Sequence, residues 1–350
     1  MKDSQSLKKK INKFIKKKAK PAPAQQTLPV PTPTEQSPHE TWIHALTHHI
    51  LGIISLVLLV IFLALTVINN QLLQEIIRNT VVASDITADI APYPKIMQPY
   101  LFDLSAKTAV VLDTDAQAVL FSKNPELRFS TASTAKIMTA LVALDYFAPT
   151  SILTIKTAEV EGSKLGFLPG EQFTFESLLK AMMLPSANDA AVAIADNYPG
   201  GQKAFVTKMN EKAATLHLEN THFVDPIGIE DDGDYTTALD LARLGGIGMQ
   251  NPVFAQVVGT RETSISNIRQ TRFFPLSNLN KLLGFNGVNG IKTGTTTGAG
   301  EVLVTSANNN GHNVVIVVMN STQRFVDTQV LLNFVSQNVV YVTVPGFPQQ

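Results

Sequence analysis

From Ile50 to Ile68 the chain reads ILGIISLVLLVIFLALTVI, nineteen residues with no charge and no polar stripe. As a helix this run is about 29 Å long, matching the hydrocarbon core of a bilayer. A signal peptide has a shorter apolar region, nearer the N-terminus and promptly followed by a cleavage site. Here the run continues into NNQLLQEIIRN, and the cleavage-like pair Val81 and Ala83 lies far downstream. The pattern predicts one uncleaved transmembrane anchor over residues 50–68. From Leu101 the text becomes that of a packed domain. AKTAVVLDTDAQAVLFSKN places two β-rich runs around the turn-forming DTDAQ, the signature of a hairpin. Residues 131–147, 175–184 and 188–197 carry helical spacing, and Pro185 separates the last two. EVLVTSANNNGHNVVIVVM reads as a second hairpin whose NNNG turn tolerates positive φ. Val326, Val330, Leu331 and Phe334 mark a closing helix, and VVYVTV a last strand. Strands at both ends with helices between predict an α/β fold of α+β layers, its sheet joining the two ends of the domain.

Charge sharpens the boundaries. The formal net charge of zero hides an asymmetry: residues 1–99 carry 11 Lys+Arg against 6 Asp+Glu, residues 100–350 carry 17 against 22. Nine lysines fall in the first twenty residues, opposed only by Asp3, and residues 21–40 are rich in Pro, Thr and Gln. The expected organisation is a basic then Pro-rich tail without packed structure (1–49), the anchor (50–68), a stalk (69–100) and one globular domain (101–345). Lysines are retained in the cytoplasm, which puts the tail inside and everything after the anchor outside. Trp42 suits the membrane interface, and His44, His48 and His49 read as interfacial polar residues rather than a metal cluster. The body is not basic, so no nucleic-acid partner is expected. The absence of cysteine excludes disulfides, thiolate zinc sites and a cysteine nucleophile.

Three short stretches carry chemistry. In FSTASTAKIMTALVALD, Ser133 and Lys136 have the i, i+3 spacing that puts side chains on one helix face. Ile137, Met138, Leu141 and Leu144 draw that helix into the core. Burial would desolvate Lys136, lower its pKa and leave it able to act as a base. The bland alternative is a helix capped by Ser130 or Thr131 whose lysine snorkels to water. One Ser-x-x-Lys is expected by chance in a chain of roughly this size, and Ser6–Lys9 in the tail is another. The second stretch, LPSANDAA, contains Ser186-Ala187-Asn188, which as plain structure would be a helix cap with Asp189 favouring the dipole. Ser306-Ala307-Asn308 repeats the tripeptide at the end of a strand, where it reads as turn chemistry. The third, GIKTGTT, places Lys292-Thr293-Gly294 on or beside an edge strand. There a lysine, hydroxyls and a glycine make a site for a carboxylate.

Ser-x-x-Lys, Ser-x-Asn and Lys-Thr-Gly in this order resemble the signature of penicillin-binding proteins and class A β-lactamases. The flanks FLPGEQFTFESLLKAMMLPSANDAA, NTHFVDPIGI and NGIKTGTTTGAGEVLVTSA narrow the similarity to the D-alanyl-D-alanine carboxypeptidases, over roughly Leu104 to Val340. The resemblance implies a β-lactamase/transpeptidase-like fold, an antiparallel sheet flanked by helices, behind the one N-terminal transmembrane helix. It implies that Ser133 attacks the carbonyl between two D-alanines and that Lys136 takes its proton. Ser186 would relay a proton to the leaving amine and Asn188 would hold the substrate amide. Lys292 would contribute positive charge and help keep Lys136 neutral, while Thr293 and Thr295 offer hydroxyls to the terminal carboxylate beside Gly294. The N–H groups of Ser133 and Thr295 would form the oxyanion hole. The implied partners are a peptidoglycan stem peptide ending in D-Ala-D-Ala and β-lactams as covalent inhibitors. No cofactor or metal is implied.

Two features depart from the family pattern. Many relatives are tethered at the C-terminus, whereas this chain is expected to be tethered at its N-terminus. The separate C-terminal β domain that many relatives carry is not expected after residue 345. A β-lactamase is disfavoured because Glu-x-x-Leu-Asn is absent between Ser186 and Lys292, where Glu219-Asn220 is followed by Thr-His-Phe. A D,D-endopeptidase on the same scaffold uses the same acyl-enzyme and is not separated by the sequence. A catalytically inactive wall-binding protein is disfavoured by the three intact motifs.

Overall fold

The computed structural model describes residues 38–80, 93–98, 100–157 and 159–342. The tail, most of the Pro-rich linker and residues 81–92 of the expected stalk lie outside the described residues. The chain divides into two units, residues 1–86 and 87–350. In the first, one helix, α1, runs over Pro38–Thr80 and contains the expected anchor. Its stretch His48–Glu75 is long and apolar enough to cross a membrane.

The second unit is built on a five-stranded antiparallel sheet. Its strands are β2 (Thr108–Asp113), β3 (Ala118–Lys123), β8 (Val288–Thr296), β9 (Gly300–Asn309) and β10 (His312–Ser321). The order is β3-β2-β10-β9-β8, so strands from both ends of the domain meet at β2 and β10, as expected. Both hairpins form where the turn residues stand. Gln117 closes the first at φ 53°, and Asn310 with Gly311 closes the second at φ 52° and 89°. Such positive φ is what Asn and Gly tolerate best.

Each sheet face is buried. On β10, Val315, Val317 and Met319 join the larger core, while Val314, Ile316 and Val318 join the smaller one behind the sheet. The smaller core is closed by α8 (Arg324–Asn338), which is the expected closing helix. The larger holds α2 (Ala135–Tyr146), α3 (Phe175–Met183), α4 (Asn188–Asn197), α5 (Gly201–Thr215) and α6 (Ala238–Met249), with α7 (Pro252–Val258) beside β8. Helix α2 is the hub, packed against α3, α4, α5 and α6, and its residues 135–143 are all buried. Burial on every side explains why it carries apolar or small residues all round, with Lys136 the exception.

Three small two-stranded sheets complete the unit. They pair β4 (Ile152–Thr154) with β5 (Gln172–Thr174), β6 (Glu262–Ser266) with β7 (Phe273–Ser277), and β1 (Tyr93–Ile96) with β11 (Val339–Val342). The last expected strand therefore forms, but its partner is β1, within the segment expected as stalk. Tyr93 pairs with Val342 and Ile96 with Val339, which ties residues 93–96 into the globular unit.

Candidate active site

The site begins at a 3-10 turn, Ala132–Thr134, that leads directly into α2. Ala132 and Thr134 are buried while Ser133 is half-buried, so of the three only the serine reaches the surface. Lys136 is fully buried, and its Nζ donates to Ser133 Oγ at 2.9 Å and to the Ile227 carbonyl at 2.9 Å. The snorkelling alternative is therefore excluded. Burial lowers the Lys136 pKa to about 7, and the negative charge of Asp225 raises it against that trend. A lysine at that value is an amine able to accept a proton near neutrality.

The expected cap is absent. Ser130 Oγ donates instead to the Asp231 carbonyl at 3.2 Å, and no side chain of Thr131 or Thr134 caps the turn. The N-terminal, electropositive end of the α2 turn is left beside Ser133, where it favours negative charge.

Strand β8, on the edge of the sheet, comes against this turn. A Cβ placed on Gly294 would lie 2.9 Å from Ala132 Cβ and 3.1 Å from the Ser133 nitrogen. Only glycine permits that approach. Lys292 and Thr293 are buried on the same strand, and Lys292 Nζ donates to the Thr293 carbonyl at 3.0 Å. Burial, then the charges of Lys136 and Arg324, push the Lys292 pKa well below the usual lysine range. The expected role of Lys292 as a positive charge is therefore one that an anionic partner would have to support. Among the described residues Lys292 bonds no carboxylate, and an arriving anion would supply the counter-charge that lets it hold a proton. Thr295 is exposed; its Oγ1 donates to the Gly294 carbonyl and accepts from Arg324 Nη1, both at 2.7 Å. Arg324 Nη1 also donates to the Gly294 carbonyl at 2.8 Å. Lys292 on the edge strand thus lies within the electrostatic reach of two other basic side chains, Lys136 and Arg324.

Ser186 and Asn188 stand between α3 and α4, after Pro185. Ser186 has φ 66°, a left-handed conformation that costs a non-glycine residue of order 1–3 kcal/mol. Its Oγ is buried without a hydrogen-bond partner, and so is Asn188 Oδ1. Asn188 is not the helix cap. Its Nδ2 donates to the Glu161 carbonyl at 2.6 Å, its backbone N–H to the Ser163 carbonyl at 2.7 Å. Asp189 accepts N–H groups from Leu165, Gly166 and Phe167, so Asn188 and Asp189 together hold the 161–167 loop in place. The structure brings Ser133, Lys136 and Gly294 into contact. It joins Ser186 to none of them by a hydrogen bond.

Sequence reasoning missed Asp225, the Ile227 carbonyl, Arg324 and the Glu161 carbonyl. Two of these act through the backbone, which leaves no side-chain signal. Arg324 stands alone, 29 residues beyond Thr295.

A helix-covered antiparallel sheet, with a half-buried serine bonded to a buried lysine against its edge strand, is the arrangement of the β-lactamase/transpeptidase-like fold. The family profile described as D-alanyl-D-alanine carboxypeptidase, among the S11 peptidases, matches residues 94–323. The chain belongs to that family. D-alanyl-D-alanine carboxypeptidase DacF of Bacillus subtilis is 34% identical over 225 residues, covering 62% of this chain and 58% of its own length. The D-alanyl-D-alanine endopeptidase of Pseudomonas aeruginosa is 33% identical over 241 residues, covering 67% and 77%. Among solved structures, the Streptomyces K15 DD-transpeptidase matches with a TM-score of 0.65 at 31% identity, over 67% of this chain and 98% of that one. The chain thus spans less than two thirds of the Bacillus relative.

Proposed function

We propose that this chain is a membrane-anchored serine D-Ala-D-Ala carboxypeptidase that trims the terminal D-alanine from peptidoglycan stem peptides. The 2.9 Å bond from the buried Lys136 amine to the half-buried Ser133 hydroxyl carries the reading. Neutral Lys136 takes the Ser133 proton as Oγ attacks the carbonyl between the two D-alanines. The oxyanion is met by the N–H groups of Ser133 and Thr295, with the electropositive helix end behind them. Ser186, whose hydroxyl has no partner among the described residues, passes a proton to the departing D-alanine amine. Asn188 holds the substrate amide. Lys292, Thr293 and Thr295 bind the terminal carboxylate beside Gly294, and Arg324 adds charge there. Water then cleaves the Ser133 ester, Lys136 again serving as base, and the serine proton is restored.

The organisation that fits is a tail inside the cell, residues 50–68 in the bilayer, and residues 101–345 outside as the peptidase domain. The apolar stretch within α1 and the basic first twenty residues support that orientation.

The test is incubation of the full chain with a synthetic peptide ending in D-Ala-D-Ala, with mass analysis for loss of one alanine. A fluorescent penicillin in parallel should leave a long-lived adduct on the peptide containing Ser133. Rapid turnover of the penicillin would make the chain a β-lactamase, and absence of both reactions would leave a wall-binding protein. The Pseudomonas relative's name supports a second reading, cleavage of an internal D-alanyl crosslink; a crosslinked stem-peptide dimer as substrate separates the two.

A further inference from the structure

Lys136 Nζ has two acceptors. Ser133 Oγ comes from its own turn, and the Ile227 carbonyl comes from a loop far along the chain. That loop, residues 225–230, contains no helix or strand. One carboxylate shapes it. Asp225 Oδ1 accepts the N–H groups of Ile227, at 2.6 Å, and of Gly228, at 2.5 Å. Asp225 Oδ2 accepts those of Ile229, at 3.2 Å, and of Glu230, at 3.1 Å. Four successive N–H groups therefore turn inward on a single anion, a charge-assisted arrangement stronger than neutral hydrogen bonds.

With the N–H groups committed inward, carbonyls are left to face α2. The Pro226 carbonyl accepts from Thr139 Oγ1 at 2.7 Å, and the Ile227 carbonyl accepts from Lys136 Nζ. Positions 136 and 139 are i, i+3 neighbours, so two consecutive carbonyls grip one face of the helix. Gly228, at φ 73°, lets the loop lie directly on the serine turn: a Cβ there would fall 1.9 Å from the Ala132 carbonyl oxygen.

We infer that Asp225 is a positioning residue for the proposed reaction. By folding residues 226–230 around its carboxylate it sets the Ile227 carbonyl against Lys136, which directs the remaining hydrogen-bonding capacity of the amine toward Ser133. Asp225 touches neither serine nor substrate in this role. The inference rests on the reading of Ser133 and Lys136 as nucleophile and base.

The same carboxylate carries a charge that favours protonated Lys136, against the lowering by burial. Other charges face this region. Lys292 lies on β8 and Arg324 on α8, and the pKa of Lys292 is lowered by burial first and then by the charges of Lys136 and Arg324. Asp234 is pushed up to about 7 by burial and then by the charge of Asp225, with Glu230 adding a smaller push. Neutralising Asp225 would lower the Lys136 pKa. It would also let Asp234 ionise more readily, offsetting part of that change.

Asp225→Asn and Asp225→Glu separate geometry from charge. The amide keeps one acceptor oxygen but turns a donor toward the Ile229 and Glu230 N–H groups. The longer acid keeps the charge but displaces it by a methylene. Two readouts apply to the full chain in detergent. One is the NMR titration of Lys136 in protein labelled with carbon-13 at lysine Cε, the signal assigned through Lys136→Arg. The other is the rate of Ser133 acylation by a β-lactam as a function of pH. In Asp225→Asn the Lys136 midpoint should fall by about half to one pH unit. The acidic limb of acylation should move with it, and the alkaline plateau should drop about tenfold. Asp225→Glu should hold the midpoint and lower only the plateau. An unmoved midpoint in Asp225→Asn overturns the inference, including where activity falls only in step with the folded fraction. If the parent chain takes no β-lactam, the proposed function fails, and the titration alone still decides what Asp225 does to Lys136.

Discussion

Ser-Ala-Asn occurs twice in this chain, and the two occurrences could hardly differ more. At 306–308 it lies in β9, paired to β8 and β10, and the Asn308 amide is fully employed in the turn. Asn308 Oδ1 accepts from the Gly311 N–H at 3.1 Å and Nδ2 donates to Asn313 Oδ1 at 3.0 Å. At 186–188 the serine is held in a left-handed conformation, and two buried polar oxygens have no partner inside the protein. A buried unpaired oxygen costs about 1–3 kcal/mol. The occurrence at 186–188 therefore gives up stability by leaving polar atoms unpaired, while the one at 306–308 spends its polar atoms on the fold. What separates them is where the hydrogen-bonding capacity is left over.

The largest test of that difference is Ser133→Ala, which should abolish covalent penicillin labelling whichever tripeptide is intact; residual label on another residue would move the site elsewhere. Next, Ser186→Ala should slow release of D-alanine by about 10²-fold or more, the scale of a lost proton relay. Ser306→Ala should leave that rate unchanged, and equal losses in the two variants would dissolve the contrast. The acylation rate should fall about tenfold per pH unit below about 7, as Lys136 becomes protonated and ceases to be a base.

Stability should show the same lysine with a defined sign. The folded value of about 7 lies below the ordinary 10.5, so between these limits the unfolded chain binds more protons and stability rises with pH. Lys136→Met should flatten that slope and raise stability at pH 7 by at most about 4 kcal/mol, read from denaturant melts at several pH values. A slope unchanged in the variant would assign the effect to another group. The smallest effect is Asn308→Ala, expected to cost about 0.5–1 kcal/mol from exposed turn bonds with the acylation rate intact.

Elements written by local pattern were legible in the sequence. The helix expected at 188–197 forms over those residues, and both hairpins turn at DTDAQ and NNNG. The edge position of Lys292-Thr293-Gly294 was legible too, because a glycine-bearing run next to a hairpin has few other places to go. The pairing of Tyr93–Ile96 with Val339–Val342 was not, since nothing local in either segment names a partner so distant in sequence. The cap expected from Ser130 or Thr131 failed because the chain uses that helix end as part of the site. Within the candidate site, the side chains proposed for the chemistry could be picked from the motifs, whereas the backbone atoms that contact them could not. Asp225 lies in the quoted stretch NTHFVDPIGI, yet its role emerges only when four N–H groups are seen converging on it.

The meeting of β2 with β10 fixes when this protein can become competent during synthesis. Residues 108–113 must wait for residues 314–319 before the central ladder can close, and Asp327 must then arrive to take the backbone N–H groups of Ser105 and Ala106. Loop closure over such a separation is slow and is repaid only once both ends are present. A nascent chain that stalls near residue 300 would expose a half-built sheet, so the proposed serine site can be completed only after residue 327 has left the ribosome.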